Sequence, residues 1–157
     1  MYPSPSPLPA DTRERVAAVL GAVLADGLDL HTQIKVAHWN VKGPHFAALH
    51  PLFETFAAGL ALHNDAVAER AVTLGAVVRG SARQVAAISR LPDYPPGTVR
   101  DLDHVRLLAE RFDAYLAGLR IARALAGELA DDDTADLVGT VIGDFEKHAW
   151  FLRATLS

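Results

Sequence analysis

His38, His50 and Glu54 stand around a Gly-Pro break in AHWNVKGPHFAALHPLFE, residues 37–54, and Asp65 and Glu69 follow. Imidazoles and carboxylates hold divalent metals of borderline character. Two imidazoles with two or three carboxylates suit iron(II), manganese or zinc, and the oxygen share fits iron in particular. Carboxylates stabilise the ferric product and tolerate a change in coordination. The chemistry such a set implies is oxidation of iron(II), not hydrolysis.

On a helix, His50 and Glu54 are four residues apart, as are Asp65 and Glu69, so each pair shares a face. Eleven residues, about three turns, separate Glu54 from Asp65, so both pairs point the same way. They cannot hold one ion within one chain. At ~1.5 Å per residue the pairs lie about 16 Å apart, whereas ligand atoms stand within about 2.0–2.6 Å of a metal. A second copy removes the difficulty. If this helix packs antiparallel against its twofold mate, His50 and Glu54 of one chain approach Asp65 and Glu69 of the other. The crossing falls near residues 59 and 60, where Ala57-Ala58-Gly59-Leu60-Ala61 lets two backbones approach. Such an isologous contact makes two equivalent sites. His38, just across the break, reaches the same site as His50. Taken singly, each residue also suits a solvated or core-edge helix position; their conjunction is what points to a shared metal site.

The elements that must position these residues are helical. Apolar residues recur at helical spacing in four long stretches, and nothing alternates like a strand. The first helix is expected from Asp11, a good N-cap after Pro9, to about Asn40, with Val16, Leu20, Val23, Leu24, Leu28 and Ile34 as its apolar stripe. Gly43-Pro44 ends it. The second runs from about His45 to Leu74, with Gly75 as C-cap. A connection of roughly 25 residues follows, too long for a bundle turn, with a short helix expected around Ala82–Ser89. The third long helix spans about Asp101 to Leu129, and ADDDTAD starts the fourth, which reaches about Thr155. Four long helices with one long crossover between the second and third describe a ferritin-like four-helix bundle, all-α. The crossover lets helices two and three run parallel.

Composition narrows the classes of function. A chain of 157 residues with 50% hydrophobic and 22% charged residues reads as one soluble domain, residues 11–157, behind a flexible Pro/Ser-rich tail, residues 1–10. There is no cysteine, which removes disulfides, thiolate metal sites and a cysteine nucleophile. The opening MYPSPSPLPADTRER has neither the basic nor the apolar region of a secretion signal, and a cytoplasmic location is expected. A net charge of -4 argues against a generic nucleic-acid binder.

KVAHWNVKGPHFAALHPLFE followed by DAVAERAVTLG resembles Dps, the ferritin-like DNA-binding protein from starved cells, and DDDTAD and FEKHAWFL extend the likeness along nearly the whole chain after the tail. The resemblance implies a homododecameric hollow shell of tetrahedral symmetry. It also implies ferroxidase centres at twofold interfaces, where iron(II) is oxidised, preferably by hydrogen peroxide, and a ferric mineral store inside. Zinc or manganese are the substitutes expected for iron. By this resemblance His38, His50 and Glu54 supply ligands from one chain and Asp65 and Glu69 from its mate, with Glu69 as the bridging or primary ligand. Glu54 departs from the Asp of many relatives and sits one methylene further out. Trp39 resembles the family tryptophan beside the centre, a sink for stray oxidising equivalents or simply a large interface side chain. Lys35 is either a neighbour of the site or a surface salt-bridge residue. An intra-bundle ferritin site would use Glu-x-x-His motifs, which the chain lacks.

Asp131, Asp132, Asp133 and Asp136 have two readings: N-capping of the last helix, or, by the resemblance, the lining of threefold pores that draw iron(II) inward. His31, two turns before His38, is a candidate accessory position; His45, His63, His104 and His148 are expected at the surface or an interface. Lys35, Lys42 and Lys147 are the only lysines, and none lies in the tail. Phosphate neutralisation needs several cations in reach, so DNA binding is expected to be weak or absent near neutral pH. The competing functions are a nucleoid-compacting protein in which metal is secondary, and a shell that buffers zinc or manganese without redox turnover.

Overall fold

Pro9 opens the bundle. In the computed structural model, which describes residues 1–157, Pro9 holds the N-cap position of α1 (Ala10–Asn40). Asp11, expected as the cap, lies instead in the first turn, where its charge complements the helix dipole. The expected stripe is buried except for Leu28, which is only partly covered. The other helices are α2 (Phe46–Thr73), α3 (Ala82–Ile88), α4 (Asp101–Glu128) and α5 (Asp132–Thr155), and no strand is present. None of them is long and apolar enough to cross a membrane.

Two fastenings fix how the helices run. At one pole the Lys42 N–H donates to the Val99 carbonyl (2.8 Å) and the Asp101 N–H to the Lys42 carbonyl (3.0 Å), so α4 starts beside the α1–α2 turn. At the other pole Arg70 near the end of α2 donates to Asp131 in the α4–α5 turn (2.6 Å). Helices α2 and α4 therefore run parallel, as the length of the crossover required. The crossover is tied down along its path. Arg90 meets Asp26 of α1 through its backbone N–H (2.8 Å) and two guanidinium bonds (2.9 and 2.6 Å). Ser89 donates to Asp29 (2.6 Å), and buried Arg111 of α4 bonds Gln33 and the Asp93 carbonyl.

Helix ends follow their turn chemistry. Gly75 at φ 98° closes α2 in a Schellman turn, with its N–H on Val72 and that of Ala76 on Ala71. The last carbonyls of α2 then receive the tail, which runs extended rather than helical. The Tyr2 N–H donates to Gly75 (2.7 Å), the Ser4 hydroxyl to Thr73 (2.6 Å) and Arg13 to Leu74 (3.1 Å). Carbonyls left over at a helix end need such partners. The same Schellman pattern ends α4 at Ala130, whose φ is 56°.

Phe53, Phe56, Phe112, Tyr115 and Phe145 fill the bundle interior, with edge-on contacts such as Phe112–Phe145 at 5.1 Å. Two histidines depart from expectation: His104 is fully buried and His148 is 9% exposed, so neither is a surface residue of the protomer. Helical spacing explains it. His148 shares its stripe with Val141, Phe145 and Leu152, and lies 4.5 Å from the Phe56 ring; His104 bonds Tyr94 (2.6 Å).

Burial pushes the pKa of both imidazoles below the ordinary histidine value, with nearby Asp103 opposing at His104 and Asp144 at His148. The unfolded chain takes up these protons near pH ~6.5 and the folded chain only at lower pH. Stability is therefore fully present above that value and falls as the pH drops below it. Denaturant midpoints from pH 7.5 to 5.5 should fall, and His148→Phe should flatten the slope. The strained Ala130 yields a second outcome: Ala130→Gly should stabilise the fold by about 1 kcal/mol, read as a rise in unfolding midpoint.

Candidate metal centre

The Gly-Pro break brings the end of α1 against the first turns of α2, so His38 and His50 meet. Their rings stack at 3.8 Å between centroids, 23° from parallel. His38 Nδ1 lies 2.8 Å from the His50 carbonyl, and His50 Nδ1 lies 2.9 Å from the His38 carbonyl. A carbonyl oxygen only accepts, so both Nδ1 atoms carry hydrogen and donate. Each ring is left with Nε2 free to serve as a ligand atom, the tautomer that metal-binding histidines adopt when a second partner holds the other nitrogen. Phe46 lies beside His50, 5.0 Å between ring centroids.

Glu54 joins them. Its Oε2 lies 3.4 Å from His38 Nε2 and pairs with the Lys35 ammonium. The Lys35 hydrogen bond holds the Glu54 carboxyl below the usual carboxylate range against opposing desolvation, with the Lys35 charge adding. Lys35 is thus a salt-bridge residue, paired with Glu54. Its Nζ also lies 5.8 Å from the ring of Trp39, a residue that is 67% exposed.

Asp65 and Glu69 stand further along the same uninterrupted helix and do not join this cluster. With α2 continuous from Phe46 to Thr73, the spacing of about 16 Å holds, and no three His, Asp or Glu side chains of one chain form a group able to hold a metal ion. Glu54, Ala58, Ala61, Leu62, Asp65 and Glu69 are all exposed, a single open stripe on α2. At its middle, a side chain added at Gly59 would meet nothing. Ala57 and Leu60, counted among the small midpoint residues, are buried in the protomer core, so Ala58, Gly59 and Ala61 form the open part. His31 and Asp65 line one cavity of about 340 Å³ between α1 and α2.

The acidic run divides. Asp131 is buried; it accepts from the Thr134 N–H (3.1 Å) and hydroxyl (2.7 Å) and from Arg70. It is the cap of α5, while Asp132, Asp133 and Asp136 are exposed. One residue near the centre carried no signal in the sequence. Asp101, the first residue of α4, receives hydrogen bonds from the His45 backbone N–H (2.9 Å) and His45 Nδ1 (2.8 Å) in the break. Only the distant pairing of Lys42 with Arg100 brings it there.

Comparison with known proteins identifies the fold. Residues 17–157 match the ferritin-like domain family. The chain is 37% identical over 147 residues to the DNA protection during starvation protein of Agrobacterium fabrum, covering 94% of this chain and 91% of that one. DpsC from Streptomyces coelicolor superposes with a TM-score of 0.94 at 35% identity, covering 99% of this chain and 91% of that chain. The DPS protein of Vibrio cholerae O1 is described as a member of a broad superfamily of ferritin-like diiron-carboxylate proteins. It superposes with a TM-score of 0.91 at 28% identity, covering 96% of this chain and 94% of its own. With an all-helical bundle, a long crossover and relatives of this kind along nearly its whole length, the chain belongs to the Dps family of ferritin-like mini-ferritins.

Proposed function

We propose that this mini-ferritin oxidises iron(II), preferably with hydrogen peroxide, at centres shared between twofold-related subunits, and stores the ferric product inside a dodecameric shell. The observation that carries this is the pair of Nδ1-anchored imidazoles beside an ionised Glu54, on a face that continues to Asp65 and Glu69. The diiron-carboxylate description of the Vibrio cholerae relative supports the same chemistry. The cytoplasm of a bacterial cell is the proposed setting.

Iron(II) is the substrate. Nε2 of His38 and His50 and the Glu54 carboxylate bind it from one subunit, and Asp65 and Glu69 bind it from the mate. Lys35 holds Glu54 in its charged form and yields the carboxylate to the incoming cation. Two iron(II) ions give one electron each to one peroxide, whose O–O bond breaks. With two waters the pair becomes two ferric oxyhydroxide units and releases four protons. The carboxylates neutralise the added positive charge of the ferric ions. Trp39, exposed at the rim, is the proposed sink for an electron hole that escapes the centre. Asp132, Asp133 and Asp136 are the acids proposed for an entry pore, since Asp131 is committed to Arg70 and the α5 cap.

The first ten residues contain neither lysine nor arginine, which keeps the proposed role of DNA secondary. Phosphate contacts summed over a shell add avidity only where cations are present to make them.

The test is anaerobic addition of iron(II) and peroxide to purified protein, followed by ferric absorbance. A His50→Ala, Glu69→Ala double variant should retain a mass near twelve times the 16.8 kDa protomer and oxidise iron at least about tenfold more slowly. Oxidation at the wild-type rate in the double variant would refute the assignment.

A further inference from the structure

The break that joins His38 to His50 is held from outside by a third helix. Asp101 is 7% exposed at the start of α4. Its Oδ2 takes both the His45 backbone N–H and His45 Nδ1, and its Oδ1 takes the N–H of Leu102 (2.9 Å). On the other side Gly43, at φ 144°, lies so close that a side chain there would stand 2.5 Å from the Asp101 carboxyl. The paired backbones of Lys42, Val99 and Asp101 complete the contact. Two of the three bonds to this carboxylate thus come from the break, not from its own helix.

The geometry of the centre depends on that break. The exchanged Nδ1 bonds at 2.8 and 2.9 Å exist only while the last turn of α1 and the first turns of α2 keep one relative position. Residues 41–45 set that position, and Asp101 grips two of them. We propose that Asp101 is a positioning residue for the His38–His50 ligand pair, although it touches neither imidazole. This role rests on the iron centre proposed above. A carboxylate is the group required, because three N–H donors converge on two oxygens. An amide would turn its own N–H₂ toward donors and leave some unpaired.

Cobalt(II) titration of the assembled protein tests it, because visible bands report the ligand geometry apart from turnover. Asp101→Asn and Gly43→Ala disturb the contact from its two sides. Both should bind cobalt(II) about ten- to a hundredfold more weakly, with altered band positions. Asp26→Asn is the control. It weakens the Arg90 tie of the crossover and lowers stability, but leaves the break intact and should keep the wild-type spectrum and affinity. Wild-type affinity and spectrum in Asp101→Asn would overturn the positioning role alone. A wild-type protein giving no cobalt(II) bands would overturn the centre and this role with it.

Discussion

An α-helix cannot bend its ends together, and that stiffness governs this molecule. Along α2 the two proposed ligand pairs share a face and are held about three turns apart, so no rotamer choice within one chain unites them. The protomer answers half of the need. It turns the chain at Gly43-Pro44, sets His38 against His50, and places Glu54 beside them. The other half stays exposed on the same stripe, where a second copy has room because the midpoint carries Ala58, Gly59 and Ala61.

The rest of the bundle fixes the elements that carry the proposed half-centre. Aromatic packing of Phe56, Phe112, Tyr115 and Phe145 fixes the helices laterally. The two polar poles fix them lengthwise, through Asp101 at the break and through Arg70 with Asp131 at the opposite end. The long crossover would be an entropic burden if loose. Asp26 and Asp29 of α1 and Arg111 of α4 hold it at three points, so its route over the bundle is defined.

Much of this was legible in the sequence. Period fixed the helices to within a residue or two, Gly75 marked the end of α2, and the long connection implied parallel α2 and α4. Spacing around the break also pointed to His38, His50 and Glu54, which the fold brings side by side. What stayed hidden depends on how helices are rotated against each other. His104 and His148 look like solvent-facing polar residues until their stripe is known to face the core. Asp131 looks like one of a run of equal acids until Arg70 selects it. Asp101 looks like an ordinary first-turn acid, because its partners Gly43 and His45 lie far away in sequence. Local propensity carries no record of such contacts.

If each centre takes ligands from two chains, mixed reassembly should reveal it. His50→Ala and Glu69→Ala subunits, each inactive when assembled alone, would be dissociated, combined in equal amounts and reassembled. In a mixed twofold pair one centre carries both lesions and the other carries none. With random pairing, shared centres should restore about a quarter of the wild-type iron oxidation rate. A mixture as inactive as its two components, at full reassembly, would contradict the account.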